Sequence, residues 1–582
     1  MKSGSLLAGL LVLCFVMAWT GVSRAGGSQQ TVARSGWFHV KWGDRASGST
    51  SQSTNRYFLL DDYGNSTELQ FDDKSPGPSE GLLVFDRKRV QILGEQTSAP
   101  EGGINVRSMT LERPSVGTPG TNAVLGNKKW VTILCRFADS TSTTPNPASF
   151  FQGLMSNTAP GMDHYWRETS YGNINLTGSV VVGWYNLPRE RSYYVYGNPL
   201  RVDFFRIETD AETVADADVN FPDFYGINFI FNQPLDGFSW GGVTFVSKDG
   251  LNSQMFGATD MSPDGYGNQS RVAHEMGHGF GLHHSSGPYS TPYDSQWDPM
   301  SSLGTCSAPN PIYGCVGANT ISYHKDLLGW IPAGRKYVAA AGSTGTINIE
   351  RLGQPISGNN YLMAQIPIDG LGTKFYTVEA RRLAGYDGQI PGEAIVIHQV
   401  DTTRVDRTAQ VVDVDNNGNP NDGGAMWLPG ESFTDAAHGI QVRINSMSAT
   451  SFSVTIGNTP APTLFVDETS GLAAAVDSVT LVTQPFSITT PNNLGSDQRT
   501  RVMLFAGNLS PNDNLTLVTA QAEDGQHTIY PLVVEFAGRV PNFDWLTQLN
   551  VVLPAALAHA GDVQVSISLQ GRVSNQVVLN VR

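Results

Sequence analysis

The residues best suited to do chemistry stand together in Arg271-Val-Ala-His274-Glu275-Met-Gly-His278-Gly-Phe-Gly281-Leu-His283-His284, which holds four of the chain's eleven histidines. In a chain of this composition, chance would produce the spacing H-E-x-x-H-x-x-G-x-x-H only on the order of once in 10⁵. On a helix His274 and His278 lie one turn apart on the same face and offer two imidazoles to one metal ion. Gly281 tolerates a positive φ, so the helix can stop there and the chain can turn back to bring in His284. Three neutral nitrogen ligands with a fourth position left to water make the ligand set of catalytic zinc. Such ligands leave the full charge of the ion acting on its water, whose pKa then falls to about 7. Glu275 projects from the same turn without being a ligand, placed to take a proton from that water and hand it to a leaving amine. His283 is read as a neighbour on the turn, with His284 as the third ligand by spacing.

Weaker chemistry lies elsewhere. Asp413, Asp415, Asn417 and Asn419 place oxygen side chains at alternate positions around Gly418, a pattern that suits calcium. The twelfth position of that run is Gly424, so no bidentate glutamate closes it, and a plain Asn/Asp/Gly turn competes with the calcium reading. Cys306 and Cys315 sit close together in a Gly/Pro-rich loop and are expected to form a small disulfide in an oxidising compartment. Cys135 lies in the apolar run Trp130-Val-Thr-Ile-Leu-Cys-Arg-Phe137 and reads as a buried small hydrophobe. His398 alternates with apolar neighbours and reads as structural.

The helix that must carry the histidines needs a cap, for which Asn268 or Ser270 is suited. It also needs a sheet to pack on. Over 129–330 strand and helix patterns alternate: a buried strand at 130–137, and a half-buried one over 174–184 with Ile174, Leu176, Val180, Val182 and Trp184 at period two. A helix carries Phe204, Ile207, Ala211 and Val214, and another strand follows at 227–231. Residues 26–125 are polar and loop-rich with strand-like runs at 57–60, 81–85 and 90–93, which suggests a β-rich prosegment. Past 330 helical patterns almost vanish, and strands such as 394–400 and 439–444 alternate with Gly/Asn/Asp turns. After a linker at 458–463, Val563, Val565, Ile567 and Leu569 alternate with polar residues, as in an immunoglobulin-like sandwich, where Trp545 is expected in the core.

The expected organisation is therefore multidomain: a signal peptide at 1–25, the prosegment at 26–125, an α/β unit at 126–335, an all-β sandwich at 336–457 and a second one at 464–582. Met1-Lys2, the apolar stretch 6–19 and Ser23-Arg24-Ala25 have the order of a secretory signal, which predicts an extracellular protein without stable membrane insertion. The net charge of −15 comes with 15% charged residues and no basic stripe, which argues against a nucleic-acid partner.

The motif as a whole resembles the signature of metzincin zinc peptidases, which also carry a methionine turn beneath the metal. Asp298-Pro299-Met300-Ser301, sixteen residues past His284, is similar to that turn, and the resemblance implies that Met300 forms the floor of the site. The short interval looks most like the gametolysin-type family. So do the segments 164–172, 183–185 and 323–330, while 392–401 and 428–435 are similar to the β-domain shared with immune-inhibitor-A-type peptidases. The resemblance covers roughly 129–457 and implies a secreted zinc endopeptidase acting on extracellular proteins. Two features depart from the pattern. Ser302 stands where some metzincins have a tyrosine, and 26–125 contains no cysteine, so in a zymogen another group must block the metal. The competing reading is a surface-binding or adhesion protein with an inactive zinc unit.

Overall fold

The computed structural model describes residues 31–582 apart from 46–52, 72–80, 98–102, 113–122, 290–292, 302–308, 357, 369–371, 459–460, 493–496, 510–513, 559 and 570–571. The expected signal peptide, Cys306 and part of the expected linker lie outside the described residues. The chain is multidomain and mostly strand, folded into several sheets. Among the described residues no helix is long and apolar enough to cross a membrane.

Ten strands form the first sheet. Five come from the N-terminal segment: β1 (Thr31–Arg45), β2 (Thr54–Leu60), β3 (Ser66–Phe71), β4 (Lys88–Gln96) and β5 (Ile104–Leu111). Five come from the central unit: β6 (Trp130–Arg136), β7 (Val180–Asn186), β8 (Gly226–Phe231), β9 (Phe238–Val246) and β10 (Gln254–Met261). Their order is β2-β3-β5-β4-β1-β9-β10-β8-β6-β7. Strands β10, β8, β6 and β7 run parallel, and β9 is antiparallel to β10. The join is the long β1, whose first half pairs with β4 while Trp42 to Arg45 pair antiparallel with β9. The N-terminal segment is thus not a sheet of its own.

Strand β6 reads as an unbroken apolar run because both of its faces are covered. Val131, Ile133 and Cys135 pack toward helix α2 (Phe204–Ala215), which follows α1 (Met162–Thr169) in the chain and whose Ile207, Ala211 and Ala215 share that core. Trp130 and Leu134 face the other core, with Val272, Ala273, Met276 and Phe280 of helix α3 (Gln269–Phe280). The period-two run expected over 174–184 is broken. Leu176 to Ser179 make a turn, with Gly178 at φ 88°, so Ile174–Asn175 pairs with Gly126–Asn127 and only β7 joins the main sheet. The strand expected at 81–85 is a 3-10 turn, Leu82–Phe85, because Leu82 and Leu83, although adjacent, are both buried.

Beyond the helix Ser322–Leu327, residues 336–458, joined by the edge strand Ser285–Ser286, build a six-stranded and a four-stranded sheet around one core that includes Ile349, Val378, Ile397 and Val454. His398 is buried on the strand Ala394–Asp401, on the face opposite Ile395 and Ile397. The last unit has its own core, to which Val563, Val565, Ile567 and Leu569 contribute as their alternation predicted. Trp545 corrects the expectation. It is 61% exposed and meets Phe465 and Phe543 edge-on, because it lies in the register shift between Phe543 and Thr547, ahead of the core residues Leu549 and Val551 of its strand.

Candidate metal centre

Helix α3 starts after Asn268, which takes the cap position without a side-chain cap bond. Its Oδ1 instead accepts from the Cys315 amide at 3.0 Å, tying the helix start to the loop that follows the site. The helix ends at Gly281, in the left-handed region at φ 104°. Gly281 N–H donates to His278 O and Leu282 N–H to Gly277 O, both at 2.9 Å, which is the double closure of a Schellman turn. That turn sends His284 back toward His274 and His278.

The three rings converge through Nε2. Nε2 of His278 is 3.0 Å from that of His274 and 3.2 Å from that of His284. Each Nδ1 is engaged behind the site: His274 donates to Pro299 O at 2.7 Å, His278 to Leu282 O at 2.8 Å, and His284 to Asp406 Oδ1 at 2.8 Å. A donating Nδ1 fixes the tautomer that leaves the Nε2 lone pair facing inward. Three lone pairs aimed at one point repel unless a cation sits among them. Nitrogens at about 2.0–2.1 Å from a tetrahedral zinc stand about 3.3 Å apart, close to the spacing found. Burial pushes His278 down to about 3, whereas at His284 Asp44 and Asp406 outweigh burial and push the ring up to about 10.

A fourth donor joins the group that the sequence did not suggest. Asp44, on β1, is fully buried among the histidines, with Oδ2 3.1 Å from His274 Nε2 and Oδ1 3.1 Å from His284 Nε2. Burial alone would raise its pKa, but His284 and His274 outweigh burial and hold the carboxyl well below its usual range. The hydroxyl of Tyr293 donates to Asp44 Oδ1 at 2.7 Å. Trp42, two residues before Asp44, stacks flat on His278 with centroids 5.0 Å apart and meets His284 edge-on at 4.9 Å.

Glu275 is buried beside the ligands, and neither carboxylate oxygen has a hydrogen-bond partner among the described residues. Burial first, and Asp44 second, push its pKa well above the ordinary carboxylate range. Met300 is buried against α3, where a Cβ on Gly277 would stand 2.5 Å from its Sδ. The turn before it is anchored by Asp298, which accepts from the Ser285 and Thr320 hydroxyls at 2.7 Å and pairs with His324 at 2.8 Å. This holds Pro299 O in place for His274. His283 points away from the cluster, stacked on Trp42 at 5.6 Å.

At the second predicted site, Asp413 and Asp415 do come together, with Asp422 as the third carboxylate. Asn417 and Asn419 turn their amides to Asp422 Oδ2, and Tyr289 donates to Asp413 Oδ2 at 2.7 Å. Cys315 is buried, and Cys135 is free and buried, as expected of a small core residue. Sequence reasoning missed Asp44, Trp42, Tyr293 and Asp406. Asp44 lies 230 positions before His274 and Asp406 lies 122 after His284, so no local spacing signals either.

Compared with family models, curated proteins and solved structures, the chain matches none.

Proposed function

We propose that the chain is a secreted zinc endopeptidase of the metzincin type, most like the gametolysin-type enzymes, with the central α/β unit as its catalytic domain. The observation that supports this most is the convergence of three Nε2 atoms at 3.0–3.2 Å beside an unpartnered, buried glutamate. When bound, zinc would supply a Lewis acid and a water with a pKa near about 7. His274, His278 and His284 would hold it, each braced from behind through Nδ1. Glu275 takes a proton on a carboxylate oxygen and passes it to the nitrogen of the leaving amine. Its surroundings raise its proton affinity, which suits a group that must both accept and return a proton. Tyr293, whose hydroxyl reaches the ligand cluster, is a donor for the developing oxyanion in place of the tyrosine missing at Ser302.

In the same reading calcium takes Asp413, Asp415 and Asp422. The last β unit, with Trp545 and Phe543 on its surface, serves attachment to matrix or cell surface.

The test is Glu275→Gln in the processed, secreted protein. Zinc measured by elemental analysis stays at one per chain, while casein hydrolysis falls by about 10²–10⁴-fold. An undiminished rate would sink the mechanism. If the wild-type protein leaves casein and gelatin intact with zinc bound, an inactive adhesion protein is the better account.

A further inference from the structure

Five strands of the N-terminal segment join the central sheet at one place, where Trp42, Gly43, Asp44 and Arg45 pair antiparallel with Gly241, Trp240, Ser239 and Phe238 of β9. The other side of β9 is taken by β10, so β1 occupies the free edge of the central sheet beside the ligand helix. An extended backbone hydrogen-bonded along such an edge is how a sheet receives a peptide. At this place the chain presents its own peptide. Its carboxylate meets the three ligand nitrogens, and its tryptophan lies across two of the ligand rings.

The segment is fastened at further points. Lys41 donates to Glu208 on α2 and to Asp260 on β10 at 2.9 Å, a fully buried ion cluster. Arg87 donates to Gly279 O at 3.0 Å and to His278 O, satisfying the last carbonyls of the ligand helix. A zinc site closed by four protein ligands is the structural kind, whereas chemistry needs an open position. With Asp44 in that position no water is activated, and the two bare oxygens of Glu275 have nothing to deprotonate.

We propose that Asp44 is the fourth metal ligand of the unprocessed chain and that β1 is an internal stand-in for a peptide substrate along β9, keeping the enzyme latent until the segment leaves. This rests on the zinc endopeptidase reading above. It meets the need left by a prosegment without cysteine, with an acidic oxygen in the place of a thiolate.

The experiment loads the full chain with cobalt(II) and records its visible spectrum before and after addition of acetohydroxamate. The variants are Asp44→Ala and Asp44→Asn, the second keeping the size of the side chain should the first fail to fold. In the wild type the probe leaves the spectrum unchanged. In the variants the starting spectrum shifts and the probe shifts it again, while the protein cleaves casein only once the segment has been cut away from β9. A wild type that responds to the probe, or variants with the wild-type spectrum and no response, would overturn the proposal. Variants that open to the probe, in a protein that still leaves casein intact after its segment is removed, uphold Asp44 as the ligand and sink the peptidase reading. A wild type that binds no cobalt sinks both.

Discussion

The three histidines do not lean on equivalent supports. His274 and His278 donate to the backbone carbonyls of Pro299 and Leu282, which no side-chain change removes. His284 donates to the carboxylate of Asp406, from a different part of the chain. A carboxylate partner raises ligand basicity and holds the ring in the right rotation. Asp406→Asn keeps the shape and loses the charge, and zinc affinity measured against a chromophoric chelator should fall by about 10–100-fold. An unchanged affinity would mean that Asp406 does not brace the third ligand. At this scale the sequence carried the ligands and the glutamate, because their spacing is imposed by one helix and one turn. Of the residues behind them, Leu282 belongs to the same turn, while Pro299 and Asp406 come from loops further along the chain.

Helix α3 works as a ligand carrier because of where it stops. Gly281 adopts φ 104°, a conformation in which a Cβ meets the backbone, and the Schellman turn built on it supplies the Leu282 carbonyl for His278 and reverses the chain toward His284. Gly281→Ala should destabilise the fold by about 1–3 kcal/mol in denaturant unfolding and weaken metal binding in parallel. Loss of stability without loss of affinity would separate the turn from the site. Gly277 has another task, close approach, since any side chain there would displace Met300. Downstream, Ser285–Ser286 pairs in parallel with Ala409–Gln410, so the strand after the third ligand belongs to a sheet of the next unit and brings Asp406 within reach. The helix, β6, β8 and the strand at 394–401 were legible from periodicity. The Leu82–Phe85 turn was not, because a short apolar run says nothing of its backbone when it is buried on all sides.

Across the whole molecule, the N-terminal segment and the central unit share one sheet, so the stability of one is tied to the other. His39 on β1 is buried, stacked on Phe58 with centroids 5.4 Å apart, and its Nδ1 has no hydrogen-bond partner among the described residues. Burial, reinforced by Lys41 and Arg87, pushes its pKa down to about 3. The unfolded chain binds that proton near its ordinary value of about 6.5. The stability owed to a neutral His39 is therefore fully present above about 6.5 and is lost as pH falls toward 3, at up to about 1.4 kcal/mol per pH unit. The thermal midpoint of the unprocessed chain should drop between pH 7 and 4, and His39→Leu should flatten that drop. Parallel curves for the two proteins would refute the account.

Motif spacing alone determined which three histidines converge, the glutamate beside them and the abrupt helix end, because all of these are local: one helical face, one turn, one residue able to take a positive φ. An unbroken apolar run marked the strand with both faces buried, and helical periodicity marked the helix that covers it. What occupies the fourth position was decided only in three dimensions. Asp44 looks like any other acidic residue in a polar stretch until β1 adds to the edge of β9 and drives it among the histidines. Trp545 went the other way: alternation with Leu549 and Val551 would place it in the core, and the register shift between Phe543 and Thr547 leaves it on the surface.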